Sequence, residues 1–155
     1  MELGNLSPGL ILTTVVGLAL LPYLAVMVTS FTKLVVVFSL LRNALGLQQT
    51  PPNMVINGLA IILSIYVMYP VGLKMSAVAK ETGLGRSSDT GSVLHGLDQA
   101  KEPLRDFMIR HTAEAERHFF HKTAQRLLDE KEKALISDRD LIVVVPAFTV
   151  SELTA

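Results

Sequence analysis

Long apolar stretches flank a single densely charged one. From Met1 to Leu73 the only charged side chains are Glu2, Lys33 and Arg42. Residues 74–140 carry both signs of charge at high density. After Asp140 the chain is apolar again, through Leu141, Ile142, Val143, Val144 and Val145. The first apolar stretch, residues 10–41, is longer than the roughly 20 residues that one bilayer-spanning helix needs. Pro22 lies inside it, where the missing N–H and the ring disturb a helix, and Gly17, Thr29, Ser30 and Thr32 interrupt it further. The pattern predicts a long bent helix or two helical pieces.

Residues 42–53 form a polar connector holding Arg42, Asn43, Gly46, Gln48, Gln49, Thr50, Pro51, Pro52 and Asn53. Its two prolines end one helix and open the next. A second apolar run, residues 54–73, ends in Tyr66, Tyr69 and Pro70, as expected of a helix reaching a membrane interface. Residues 1–73 thus read as a kinked helical hairpin with its tip at 42–53.

Within the charged stretch, residues 82–92 contain the sequence GLGRSSDTG and predict a flexible loop. Glu102–Pro103 marks a helix start. Leu104, Phe107, Met108, Ala115, Phe119, Ala124, Leu127 and Leu128 then recur near helical spacing. A continuous helix over 103–133 would be about 46 Å long. Its narrow apolar stripe suits packing against one partner face. Residues 141–155 begin a third apolar helix. The fold class is all-α: a membrane-type hairpin, a helical charged domain at 74–140 and the start of a further apolar element.

Composition narrows the function. Half of the 155 residues are hydrophobic, mean hydropathy is +0.43 and formal net charge is zero, so nothing points to a polyanion-binding protein. The absence of cysteine excludes a disulfide framework, a thiolate zinc site and a cysteine nucleophile. Glu2, the lack of Lys or Arg before the apolar run and the lack of an A-x-A-like site predict that the first helix is retained rather than cleaved as a signal peptide. Arg42 on the short connector, with Lys33 nearby and no acid beside them, places the tip in the cytoplasm. The N-terminus and residues 74–140 then face the periplasm.

Charged and amide side chains inside the apolar runs are the candidate functional residues. Lys33 either snorkels to the cytoplasmic interface or faces protein or a wet lumen, pairing with another subunit. Thr29 and Ser39 lie broadly on its side of a helix. Asn53, Asn57 and Ser64 need hydrogen-bond partners, within the hairpin or between subunits. His111, His118 and His121 share one face of the expected long helix, near Glu114. A solvated face accounts for them better than a metal site, since no cysteine supports them. No G-x-S-x-G and no glycine-rich phosphate loop is present. The acidic run at Asp129, Glu130 and Glu132 reads as a solvated helix end. No catalytic, cofactor or metal site is expected.

Four segments carry a resemblance: TSFTKLVVVFSLLRNALGLQQTPPN at 29–53, NGLAIILSIYVMYPVG at 57–72, EPLRDFM at 102–108 and VPAFTVSEL at 145–153. Their order and spacing resemble the FliP/SctR family of inner-membrane proteins from the export gates of bacterial flagella and injectisomes, the least similar part being about 80–93. The resemblance implies a noncatalytic subunit of a pentameric ring. That ring joins two smaller membrane proteins in a pore through which unfolded proteins pass from cytoplasm to periplasm. It also implies hairpins that pack on one another, lifted toward the periplasm, so that Lys33 and the asparagines meet protein. Family members continue past the SEL motif with two further apolar helices carrying a methionine-rich gasket. The chain stops at Ala155 and is expected to be truncated before them. The uncleaved N-terminus points to the injectisome branch. Two other functions are weaker: a small-solute transporter or ion channel, which should show paired midplane charges in two halves, and a membrane-anchored enzyme, which would have only the histidines to work with.

Overall fold

A computed structural model describes residues 8–47, 50–83 and 90–154. Every element among them is a helix: α1 (Pro8–Val28), α2 (Phe31–Ala44), α3 (Asn53–Glu81), α4 (Thr90–Ala100), α5 (Glu102–Arg110), α6 (Glu114–Leu127), α7 (Glu130–Lys133) and α8 (Leu141–Thr154). The first apolar run is indeed two pieces, yet the break is not at Pro22, which lies within α1. It falls at Thr29–Ser30, where the Thr29 hydroxyl accepts from the Phe31 N–H at 3.5 Å and the Ser30 hydroxyl meets the Met68 sulfur of α3 at 4.0 Å. Short hydroxyl side chains compete for backbone groups, and here they do so at a helix end.

Helices α2 and α3 pack side by side. Ile56, Ala60 and Ser64 recur every four residues on α3 and are its buried positions. Ser64 therefore sits in an intrachain seam. Two helices, over Ile11–Val28 and Asn53–Glu81, are long and apolar enough to cross a bilayer. Most of their surface is uncovered: Leu12, Leu18 and Tyr23 of α1 and Met54, Ile62 and Tyr66 of α3 are all exposed.

The charged stretch is not one rod. The helix expected over 103–133 is broken at His111–Ala113 and again at Leu128–Asp129, where Leu128 and Asp129 are extended. Neither break contains glycine or proline, so packing rather than local propensity places them. At the first break the Thr112 hydroxyl donates back to the Met108 carbonyl at 2.6 Å. The segment after α7 is pinned to the earlier helices by ion pairs Arg139–Asp106 (2.9 Å) and Arg117–Asp138 (3.5 Å). Most of the loop expected at 82–92 lies outside the described residues, and α4 already begins at Thr90. That helix buries the small residues Gly96 and Ala100 and packs on α3. On it, the hydrogen bond from Lys101 and then that cation's charge hold the Asp98 carboxyl below its usual range.

The core lies where charged-stretch and apolar helices meet. Phe107 and Met108 of α5 pack with Val144 and Phe148 of α8, surrounded by Val28, Met68, Val71 and Leu104. Helix α8 is the axis of this arrangement. It touches α1, α2, α5 and α6, and it buries Val143, Val144, Ala147, Phe148, Ser151 and Glu152.

Candidate functional site

Two buried polar residues near the end of α8 hold three parts of the chain together. Glu152 is the only acid after Asp140, and its side chain is 3% exposed. Its Oε1 lies 3.1 Å from Nζ of Lys33, the third residue of α2, which is 40% exposed. An ionised carboxylate so deeply buried is costly without a counter-charge, and Lys33 supplies one. Next to it the Ser151 hydroxyl accepts the backbone N–H of Ala113 at 3.0 Å. Ala113 is the extended N-cap residue just before α6, so Ser151 satisfies one of the N–H groups that a helix start leaves unpaired. The Ser151–Glu152 dipeptide thus ties α2, α8 and the α5–α6 corner into one unit. Ser151→Ala is expected to destabilise the fold by about 1–2 kcal/mol, because it strands that N–H, and to speed hydrogen exchange at the Ala113 amide specifically. Unchanged exchange there would show that the bond contributes nothing.

The hairpin tip is organised separately. Helix α2 ends in Gly46 at φ +68°, a left-handed conformation natural to glycine. The Gly46 N–H donates to the Asn43 carbonyl at 3.1 Å and the Leu47 N–H to the Arg42 carbonyl at 3.2 Å, the paired bonds of a Schellman cap. The Arg42 side chain crosses the connector: Nη1 donates to Asn53 Oδ1 at 2.6 Å and to the Pro51 carbonyl at 3.4 Å. Pro52 flanks the start of α3 in an extended conformation. Beneath these bonds Phe38, Leu41, Leu45, Leu47, Val55 and Leu59 line an apolar groove of 230 Å³.

The structure brings together some of the candidate residues. Arg42, Asn43, Pro51, Pro52 and Asn53 meet at the tip. Lys33 stands apart and pairs within its own chain, with a residue 119 positions away. Asn57 is exposed on α3 and joins neither group. Gln48 and Gln49 lie outside the described residues. The histidine stripe is corrected: the helix break separates His111 from His118 and His121. His111 Nδ1 lies 2.8 Å from the Phe107 carbonyl and His121 Nε2 lies 3.2 Å from the Ile136 carbonyl. Among the described residues no three ligating side chains come together as a metal site would require. Glu152 and Ser151 were missed as site residues. The signal was one lone acid in one apolar run and one lone lysine in another.

Bilayer-length helices with mostly uncovered apolar surfaces, and a charged segment packed against them through a shared apolar core, define an all-α membrane protein. The model of the FliP family matches residues 12–155. The chain belongs to the FliP family. It is 49% identical over 146 residues to Pathogenicity-related ORF2 of Xanthomonas campestris pv. glycines, covering 94% of this chain and 67% of that protein. It is 45% identical over 152 residues to Hypersensitivity response secretion protein HrcR of Ralstonia nicotianae, covering 97% and 70%. With Flagellar biosynthetic protein FliP of Pectobacterium carotovorum it shares 37% identity over 142 residues, covering 92% of this chain and 52% of that one.

Proposed function

We propose that the chain is a noncatalytic wall subunit of a type III secretion export gate. Membership of the FliP family makes it a structural component of that export apparatus. Five copies, joined by two smaller membrane subunits, would form a ring around a pore for unfolded proteins in the bacterial inner membrane. The observation that carries this reading is the uncovered apolar surface. Helix α1 has exposed leucines and valines along its length, among them Val15, Leu18, Leu21 and Leu24, and α3 adds Met54, Ile61, Ile65 and Tyr66. Apolar surface of that extent needs lipid or other subunits to cover it.

Arg42 at the tip supports a cytoplasmic position for residues 42–53 and a periplasmic one for 74–140. Greater identity to the pathogenicity-related and hypersensitivity-response secretion relatives, 49% and 45%, than to the flagellar relative, 37%, favours the virulence branch. A solute transporter is not favoured. The lone charge of the first apolar run, Lys33, is neutralised by Glu152 instead of facing an open path.

The test is to co-express the chain with two small export-gate membrane subunits, extract it in mild detergent and weigh the particle by native mass spectrometry. A particle holding five copies plus partners is expected. A chain that stays monomeric while the partners assemble with a full-length relative would overturn the reading.

A further inference from the structure

Helix α1 is attached to the rest of the molecule at one end only. Every residue from Ile11 to Met27 is exposed, and Val28, in the last turn, is the first to pack against the core. Its side chains are mostly apolar on all sides, so no face is set aside for the rest of its own chain. The body beyond it is firmly joined. Helix α2 lies on α3, which buries Ile56, Ala60 and Ser64, and Lys33, just past the break, pairs with Glu152 of α8 at 3.1 Å. The Thr29–Ser30 break thus joins an uncovered arm to a fixed body.

The bonds that hold the break are weak. In a continuous helix the Ser30 N–H would donate to the Val26 carbonyl; here the Thr32 hydroxyl donates to that carbonyl instead, at 3.4 Å. The Phe31 N–H donates to the Thr29 hydroxyl at 3.5 Å. Both lie at the long end of hydrogen bonding. Ser30 itself stands at φ −71° and ψ 0°, about 40° in one dihedral from helical geometry. No proline or glycine lies within residues 26–34, so no residue there stops a helix from running through. Straightening restores backbone bonds and gives up two long hydroxyl bonds and the partial burial of Val28, so the two forms lie close in energy.

We infer that Thr29–Ser30 is a hinge, and that α1 moves between this broken form and a form continuous with α2 while the body stays fixed. The arm can then meet whatever covers it without disturbing the Phe107–Phe148 core, and the inference is independent of ring or pore formation. The chain has no cysteine, so introduced cysteine pairs can carry spin labels for distance measurement in detergent. Leu18→Cys/Tyr66→Cys reports the arm against α3, Leu40→Cys/Tyr66→Cys reports α2 against α3, and Leu12→Cys/Leu24→Cys reports the arm alone; all these sites are exposed. The first pair is expected to give two distances differing by on the order of 10 Å, from a turn of about 40° on a lever of about 18 Å. The other two pairs are expected to give one distance each. Thr29→Ala/Ser30→Ala/Thr32→Ala, which removes the hydroxyls, is expected to shift the population to the continuous form. Ser30→Pro, whose ring suits φ −71° but cannot make the helical bond to Val26, is expected to leave only the broken form. A single arm distance in the parent protein, or populations that neither variant moves, would each overturn the hinge. Spread within the Leu12/Leu24 pair would do so too, because the arm would then be melting rather than swinging. So would equal spread in the α2–α3 pair, because the body would not be fixed.

Discussion

Lys33→Met is expected to lower the unfolding free energy in detergent by about 3 kcal/mol, and Glu152→Gln by only about 1 kcal/mol. The asymmetry follows from burial. Removing Lys33 leaves a carboxylate that is 3% exposed with no counter-charge, whereas removing the charge of Glu152 leaves a lysine that is 40% exposed and can turn to solvent. The glutamine amide can still accept from Nζ. The double replacement Lys33→Met/Glu152→Leu is expected to recover most of the loss, because two apolar side chains need no compensation there. Equilibrium unfolding of the parent, Lys33→Met, Glu152→Leu and the double variant, followed by circular dichroism, gives the coupling energy directly. Additive effects of the two single changes would show that the 3.1 Å contact is incidental.

Phe148→Ala is expected to cost about 3–5 kcal/mol, the range for emptying an aromatic position in a core that cannot collapse. Phe148 is 1% exposed, and its ring centroid lies 5.9 Å from that of Phe107. It sits where α8 meets α5, so its loss should loosen the charged-stretch helices along with the apolar ones. Proteolysis within α5 and α6 at a protease level that spares the parent protein is the second readout. If α5 and α6 stayed protected while α8 became labile, the core would not be the shared one described here.

Much of the fold was legible residue by residue. The apolar runs, the connector closed by Pro51 and Pro52 and the helix start at Glu102–Pro103 depend on composition and local spacing, and each has its counterpart in the structure. Gly46 could have been recognised as the cap of α2, since a glycine directly after a periodic apolar run is the usual mark of a left-handed residue. The family was legible because long ordered segments such as residues 29–53 carry far more information than any single motif.

Other features were decided only in three dimensions. The helical pattern over 103–133 looks unbroken because every position in it tolerates helix. The break at His111–Ala113 exists because α6 must turn to lie along α8, and the Ser151 hydroxyl accepts the N–H left at the turn. Lys33 announced itself as an expensive residue in an apolar run, but its partner is 119 positions away, a distance no local periodicity reports. The sequence by itself determined helical content, which stretches are apolar enough to meet a membrane, and the family. The tertiary structure decided which charge neutralises which, and that α8 becomes the axis on which apolar and charged helices converge. The physical reason is range: helix propensity and periodicity act within a few residues. Desolvation of a buried charge, by contrast, is relieved only by whatever group the folded chain brings within about 3 Å of it.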